Sequence, residues 1–352
     1  MLSRPVANPP NPWATTEVDY LGEAPDAKLE VYVDHTRQIL ARNDSPDLGF
    51  SYSVNPYRGC FHACAYCYAR PTHEYLSFGA GTDFERKLVV KPEAPALLRE
   101  AFEKRSWRGE LVVMSGVTDC YQPLEASYRL TRGCLEVCAE YRNPVSIITK
   151  APLIERDLDV LTRLGAVTDL SISVSIPLWD EATARAMEPF VATPQRRMRT
   201  VERLAAAGLR VGVNVAPMIP GLGDEDMPDI LAAARAAGAR DAGMVFLRLP
   251  GSVAEVFEAR LRAALPLRAD KVLARVREAR GGALYDARFG VRGRGEGEYA
   301  AQTWALFEAT CKKLGLGVYR MNTAEESREG EAAARATSFV RPPRRGTQLR
   351  LL

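Results

Sequence analysis

Apolar residues along this chain recur in two alternating rhythms. Short β-rich runs occupy 50–54, 111–114, 145–148, 170–174, 211–215 and 244–249. Between them, apolar positions fall at three- and four-residue steps, as at 95–104, 124–141 and 194–207. The first rhythm predicts strands and the second predicts amphipathic helices. Gly208 closes the third of these helical stretches as its expected C′ residue, because glycine accepts the left-handed conformation needed there. About six strand-then-helix units in sequence imply a parallel sheet with right-handed crossovers. The expected fold class is therefore α/β, a partial parallel (β/α)6 barrel. In such barrels the chemistry sits at the C-terminal ends of the strands.

The flanks differ from this core, which is expected to span 46–250. Residues 1–45 are rich in Pro and Asp and carry little periodicity, as an extended N-terminal arm would. From 251 the pattern changes: a helical stretch at 260–280, a break at Gly281-Gly282 and in the Gly/Arg-rich run 290–297, then another helix at 303–314. A basic, Pro-containing tail fills 339–352. Residues 251–352 are expected to form a C-terminal extension packed on the barrel rather than an independent domain.

Composition narrows the class. Of 352 residues, 47% are hydrophobic and 26% charged, as in a soluble globular protein. No apolar run approaches the length of a membrane span, and the N-terminus lacks a basic-then-apolar leader. A cytoplasmic protein without a membrane partner is expected. The net charge of +3 argues for no particular partner. Arg288, Arg292, Arg294, Arg341, Arg344, Arg345 and Arg350 gather late and could meet phosphates, although solvated arginines are the plainer reading. Nucleic acid stays an open partner. Seven cysteines is an odd number for a disulfide framework. Cys134 and Cys138, spaced i, i+4, fit one buried helix face better than a second cluster.

Three of the cysteines carry chemistry. Cys60, Cys64 and Cys67 follow the first strand with the spacing C-x3-C-x2-C, and Tyr66 and Tyr68 flank the last of them. Soft thiolates on one loop suit three irons of a [4Fe–4S] cubane, leaving the fourth iron open to bind something else. A zinc site completed by His62 or His73 is the alternative, but neither of the usual paired-ligand patterns follows.

Polar residues recur at successive strand ends. Gly116, Thr118 and Asp119 follow the second strand: glycine admits close backbone approach, and the hydroxyl and carboxylate could hold an ammonium group. Lys150 after the third strand suits a carboxylate, Ser175 ends the fourth, and Asn214 lies in the fifth. Each alone is ordinary turn chemistry. Together they outline a cofactor cradle.

The cysteine spacing and its aromatic neighbours resemble the radical S-adenosylmethionine (radical SAM) enzymes, in which the open iron chelates SAM. Thr118-Asp119, Thr149-Lys150, Val174-Ser175, Glu188-Pro189, Arg197 and Ala216-Pro217 extend the resemblance over roughly 50–250, toward the spore photoproduct lyase-like branch, often labelled DNA repair photolyase-like. The resemblance implies a radical SAM barrel and places Tyr68, Thr118, Lys150 and Ser175 at SAM. It matches Tyr66 and Tyr68 to tyrosines that relay a hydrogen atom; simple packing is the competing role for Tyr66. One departure matters. Where the lyase has a hydrogen-donating cysteine two positions before the motif aspartate, this chain has Val117. Cys120, three residues on, is then the thiol to consider. The implied activity is reductive cleavage of SAM to a 5′-deoxyadenosyl radical acting on an unidentified substrate, with a nucleic-acid lesion or modified base as the first candidate, and with a one-electron reductant such as flavodoxin or ferredoxin. The competing class is a non-catalytic Fe–S protein that binds nucleic acid or senses redox state.

Overall fold

A computed structural model describes residues 8, 28–114, 116–319 and 337–343. Most of the expected N-terminal arm, and Arg344, Arg345 and Arg350 of the tail, lie outside the described residues. Eleven strands are described: β1 (Glu30–Val33), β2 (Leu40–Arg42), β3 (Tyr52–Val54), β4 (Tyr57–Arg58), β5 (Lys87–Val90), β6 (Val112–Met114), β7 (Val145–Thr149), β8 (Leu170–Ser175), β9 (Val211–Met218), β10 (Asp241–Phe246) and β11 (Gly317–Tyr319). Eight of them form one sheet in the order β11-β10-β9-β8-β7-β6-β3-β2. Every neighbouring pair is parallel except β2–β3. The six strands expected from the sequence are β3 and β6 to β10, in chain order across the sheet. β11 extends the sheet beyond them. A small second sheet, β1-β5-β4, stands beside the cysteine loop.

The main core lies between the large sheet and its helices, with Val112, Val145, Ile172, Val213 and Met244 among the strand residues that feed it. Capping sets the helix starts. Thr193 accepts from the Arg196 N–H at 3.2 Å ahead of the helix Pro194–Ala206, whose first residue is proline, and Gly208 beyond its end has φ +79°. Two expected helices are each split. The 124–141 stretch breaks at Arg129, which takes φ +52° between Glu125–Tyr128 and Leu130–Tyr141. The buried Glu125 carboxylate causes the break: it accepts the Thr131 and Arg132 N–H groups (2.9 and 3.2 Å), the unpaired donors of the second helix's first turn. The 260–280 stretch is two helices, Val253–Ala264 and Pro266–Glu278, because Pro266 has no N–H to continue the first.

The described part of the tail, residues 337–343, docks on the core. Arg341 donates to the Phe102, Lys104 and Trp107 carbonyls, and the Val340 N–H reaches the Tyr141 carbonyl at 2.9 Å. Phe339 packs on Phe102 and Tyr141. These contacts fall at the N-terminal ends of β6 and β7, opposite the site. Among the described residues no helix is long and apolar enough to cross a membrane.

Candidate functional site

β3 delivers the chain to the C-terminal edge of the sheet, and the cysteine loop starts there. Gly59 turns it with φ +71°; a Cβ at that position would meet the Phe84 carbonyl oxygen at 2.8 Å and His73 at 2.9 Å. The loop's backbone is then satisfied by distant partners. Thr118 Oγ1 and Gln122 Nε2 donate to the Gly59 carbonyl (2.6 and 3.1 Å), and the Cys60 N–H donates to the Phe84 carbonyl at 2.9 Å. The Phe61 N–H donates to Gln122 Oε1 at 3.1 Å. Arg70 grips the Cys64 carbonyl through Nε and Nη2 (3.2 and 2.7 Å), while Arg260, from the helix Val253–Ala264, donates to the Ala63 carbonyl at 2.5 Å. With its carbonyls tied into protein, the loop is held in one conformation.

Its charge balance suits an anionic group. Arg70 and Arg260 are both buried, and both pair with the single carboxylate of Glu85 (2.6 and 2.5 Å). One positive charge is therefore left over beneath the cysteines. Cys60 and Cys64 are buried and Cys67 is half-buried, and the three lie within each other's electrostatic reach. Burial pushes the Cys64 and Cys67 thiols up, opposed by the charges of Lys150 and Arg70. Ionising all three needs further positive charge, which iron would supply. Among the described residues no three His, Cys, Asp or Glu side chains converge on a single ion; a cubane instead takes one thiolate per iron. The donor set fits a cluster.

Asp119 organises the neighbouring strand ends. Its carboxylate accepts from Thr149 Oγ1, the Lys150 N–H and the Tyr121 N–H (2.7, 2.7 and 2.9 Å) and faces His62 Nδ1 at 3.4 Å. Burial opposes its ionisation, but His62 and these hydrogen bonds outweigh burial and hold its pKa down to about 2. His62 in turn bonds Cys60 and Asp119, and His73 bonds the Lys87 carbonyl at 2.8 Å. The polar atoms of Thr118 and Asp119 are thus engaged in holding the loop and Lys150. Lys150 itself keeps a free head: its Nζ lies 5.7 Å from the Tyr66 ring centroid, its charge is felt by Cys64, Cys67 and Glu188, and no ion pair holds it among the described residues.

The other expected site residues spread across the strand ends. Tyr66 is buried and donates to Glu188, which also receives Arg197 Nη2 at 2.6 Å; Arg197 Nη1 reaches the Ser175 carbonyl at 2.8 Å. Tyr68 is half-exposed and donates to the Gly116 carbonyl at 2.8 Å. Asn214 pairs in register with Ser175 on β8 and Gly243 on β10, and its side chain lies against Gly243, where a Cβ would collide with it. Cys120 is elsewhere: it is fully buried in the main core with Cys134 and Tyr121, and Cys138 lies in the same core. Val117, by contrast, packs against the small cluster of Cys60, Ala69 and Phe84, as Cys67 also does. Sequence reasoning missed Arg70, Glu85, Gln122 and Arg260 as supports. Gln122 lies four residues after Thr118, a local hint; the other three carry none.

Comparison with known proteins places the chain in a family and a fold. The sequence model of the radical SAM superfamily matches residues 54–234. An uncharacterised protein of Mycobacterium bovis is 42% identical over 207 residues, which span 58% of this chain and 61% of that protein, less than two thirds of its length. One from Methanocaldococcus jannaschii is 30% identical over 199 residues, covering 56% of this chain and 71% of that protein. Spore photoproduct lyase complexed with dinucleoside spore photoproduct shares the fold with a TM-score of 0.60 at 16% identity, covering 82% of this chain and 81% of that one. A variant of that lyase with bound AdoMet and dinucleoside spore photoproduct gives 0.61 at 17% identity, covering 84% and 82%. The chain belongs to the radical SAM superfamily.

Proposed function

We propose that this chain is a radical SAM enzyme whose cluster is held by Cys60, Cys64 and Cys67 and whose substrate is a nucleic-acid lesion or modified base. The observation that carries the enzyme reading is the gathering of three thiols, over an excess buried positive charge, beside the unpaired ammonium of Lys150. The nucleic-acid part rests on the dinucleoside bound by the lyase of similar fold. When bound, a reduced [4Fe–4S] cluster and SAM together supply a 5′-deoxyadenosyl radical, chemistry that no side chain here could provide.

The chain's own residues bind and orient. Lys150 is assigned the SAM carboxylate, a charge-assisted pairing. Ser175, Asn214 and Gly116, at neighbouring strand ends, are assigned the rest of the cradle, with Thr118 and Asp119 fixing its edge. Tyr66 and Tyr68 stand beside the last cysteine as candidate hydrogen relays, while Cys120, buried in the main core, needs a rearrangement to take part. Residues 46–250 are assigned the catalytic core. The extension 251–352 shares in it, because Arg260 holds the cysteine loop from outside that core. A small electron carrier of the flavodoxin or ferredoxin kind is the expected reductant.

Anaerobic reconstitution with iron and sulfide, followed by product analysis with SAM, a reductant, and DNA, RNA or free nucleotides, tests the proposal. 5′-Deoxyadenosine and a changed nucleotide are expected. A brown protein that never cleaves SAM would instead make it a non-catalytic Fe–S protein.

A further inference from the structure

Several of the described arginines after β10 have partners. Arg288 pairs with Asp286 and Glu296, Arg292 with the buried Asp47, and Arg280 donates to the Leu247 and Val291 carbonyls. Arg294 lies over Trp304. Arg248 is different. It follows β10 by two residues, at the C-terminal end of the sheet where the cysteine loop also lies, and the buried Leu247 and Leu249 fix the chain on either side of it. Its guanidinium carbon is 5.4 Å from the ring centroid of Tyr68. That contact uses its charge but none of its N–H donors. Its Nε is buried without a hydrogen-bond partner, and so is the hydroxyl of Ser252 on the same loop. No carboxylate pairs with Arg248 among the described residues, and its charge lies close enough to Arg280 to disfavour that second cation.

A half-buried guanidinium with a buried, unsatisfied Nε–H and a second cation nearby is costly unless an anion completes it. We propose that Arg248 is a specificity-determining residue of this site, which recognises an oxyanion of the substrate, a phosphate or carboxylate, over the exposed face of Tyr68. SAM's own carboxylate has another claimant, since the charge of Lys150 reaches Cys64 and Cys67, whereas Arg248 meets the loop one residue beyond the last cysteine. The inference rests on the radical SAM reading above and adds to it what the substrate must carry.

The test uses anaerobically reconstituted protein and three measurements. Arginine modification by phenylglyoxal, mapped by peptide mass spectrometry, should be slowed at least about fivefold at Arg248 by inorganic phosphate or by acetate, with the surface-paired Arg99 unaffected; the stronger of the two names the oxyanion. Equal labelling with and without both anions overturns the proposal. In direct binding, wild type should prefer the dinucleotide d(TpT) over its uncharged methylphosphonate counterpart by at least about tenfold. Arg248→Ala should lose that preference, and Arg248→Lys should retain only part of it, because lysine lacks the planar fork. A preference that survives in Arg248→Ala overturns the proposal. Protection of Arg248 by an anion, with neither dinucleotide bound, upholds the oxyanion site and sinks the nucleic-acid reading instead. Finally, SAM affinity in Arg248→Ala should stay within about twofold of wild type; a tenfold loss would reassign the residue to the cofactor and overturn the proposal.

Discussion

Tyr66, beside the last cysteine of the loop, donates its hydroxyl hydrogen to Glu188, 122 residues further along the chain. The bond joins the cysteine loop to the segment after β8, and Arg197 holds the other oxygen of the same buried carboxylate. Tyr66→Phe keeps the ring and removes one donor to Glu188, so it should cost about 1–3 kcal/mol of stability. Glu188→Ala leaves the Arg197 charge buried and alone and should cost more, about 3–5 kcal/mol. Urea unfolding of the anaerobic protein reads both. Product analysis then separates packing from hydrogen relay: a relay role requires Tyr66→Phe to cleave SAM yet misprocess the substrate, while a wild-type product profile makes Tyr66 a packing residue.

The cysteines divide cleanly. Cys60→Ala, Cys64→Ala and Cys67→Ala should each abolish or severely deplete bound iron and sulfide, since a cubane with two protein thiolates is poorly held. Cys120→Ala should retain both, because its side chain lies in the main core rather than with the other three. Iron and sulfide analysis of freshly purified anaerobic protein checks this, and stoichiometric zinc without sulfide would refute the cluster. A product profile that changes in Cys120→Ala would show that the core opens during turnover.

Much of the fold was legible because short β-rich runs, apolar throughout in β6 and alternating apolar with polar in β8, mark the strands. β3 and β6 to β10 all follow from such runs, whereas β11, β1 and β4 are too short or too exposed to announce themselves. The helix break at Arg129 was invisible because its cause, the inward turn of Glu125, is tertiary. In the candidate site, the clustering of the three cysteines follows from their spacing, and the place of Lys150 beyond β7 follows from the strand that precedes it. Arg70, Glu85 and Arg260 were not legible, since a buried ion pair between residues 175 apart leaves no periodic trace. The hydroxyl of Thr118 and the carboxylate of Asp119 read as cofactor ligands and are found gripping the loop and its neighbours, the same chemistry turned toward protein.

Lys150 has no ion pair among the described residues, and its ammonium lies over the Tyr66 ring within electrostatic reach of Cys64 and Cys67. Lys150→Ala should keep the cluster and lose about 1.5–3 kcal/mol of SAM binding, at least tenfold in affinity. Calorimetric titration of SAM into the anaerobic variant measures the loss. Unchanged affinity would return Lys150 to a structural role over the Tyr66 ring.

His73 gives the fold a pH dependence separate from the cluster chemistry. It is fully buried between Phe78 and Phe84, its Nε2 bonds the Lys87 carbonyl at 2.8 Å, and its Nδ1 has no partner. Burial, only partly offset by that hydrogen bond, drives its pKa down to about 4 from 6.5. Above pH 6.5 the imidazole is neutral in both folded and unfolded chains, and His73 adds no slope. Between 6.5 and about 4 the unfolded chain takes up a proton that the folded chain refuses, so stability falls as pH falls. Below about 4 both states are protonated and the loss levels off, at about 3 kcal/mol for a shift of this size. His73→Gln keeps an N–H for the Lys87 carbonyl but cannot titrate. Carboxylates and His62 titrate in both proteins and cancel in the comparison. The stability of wild type relative to His73→Gln, from urea unfolding at pH 7, 6, 5 and 4, should therefore decline by about 3 kcal/mol across the series. Parallel pH curves for the two proteins would show that His73 is protonated as readily in the folded chain as in the unfolded one.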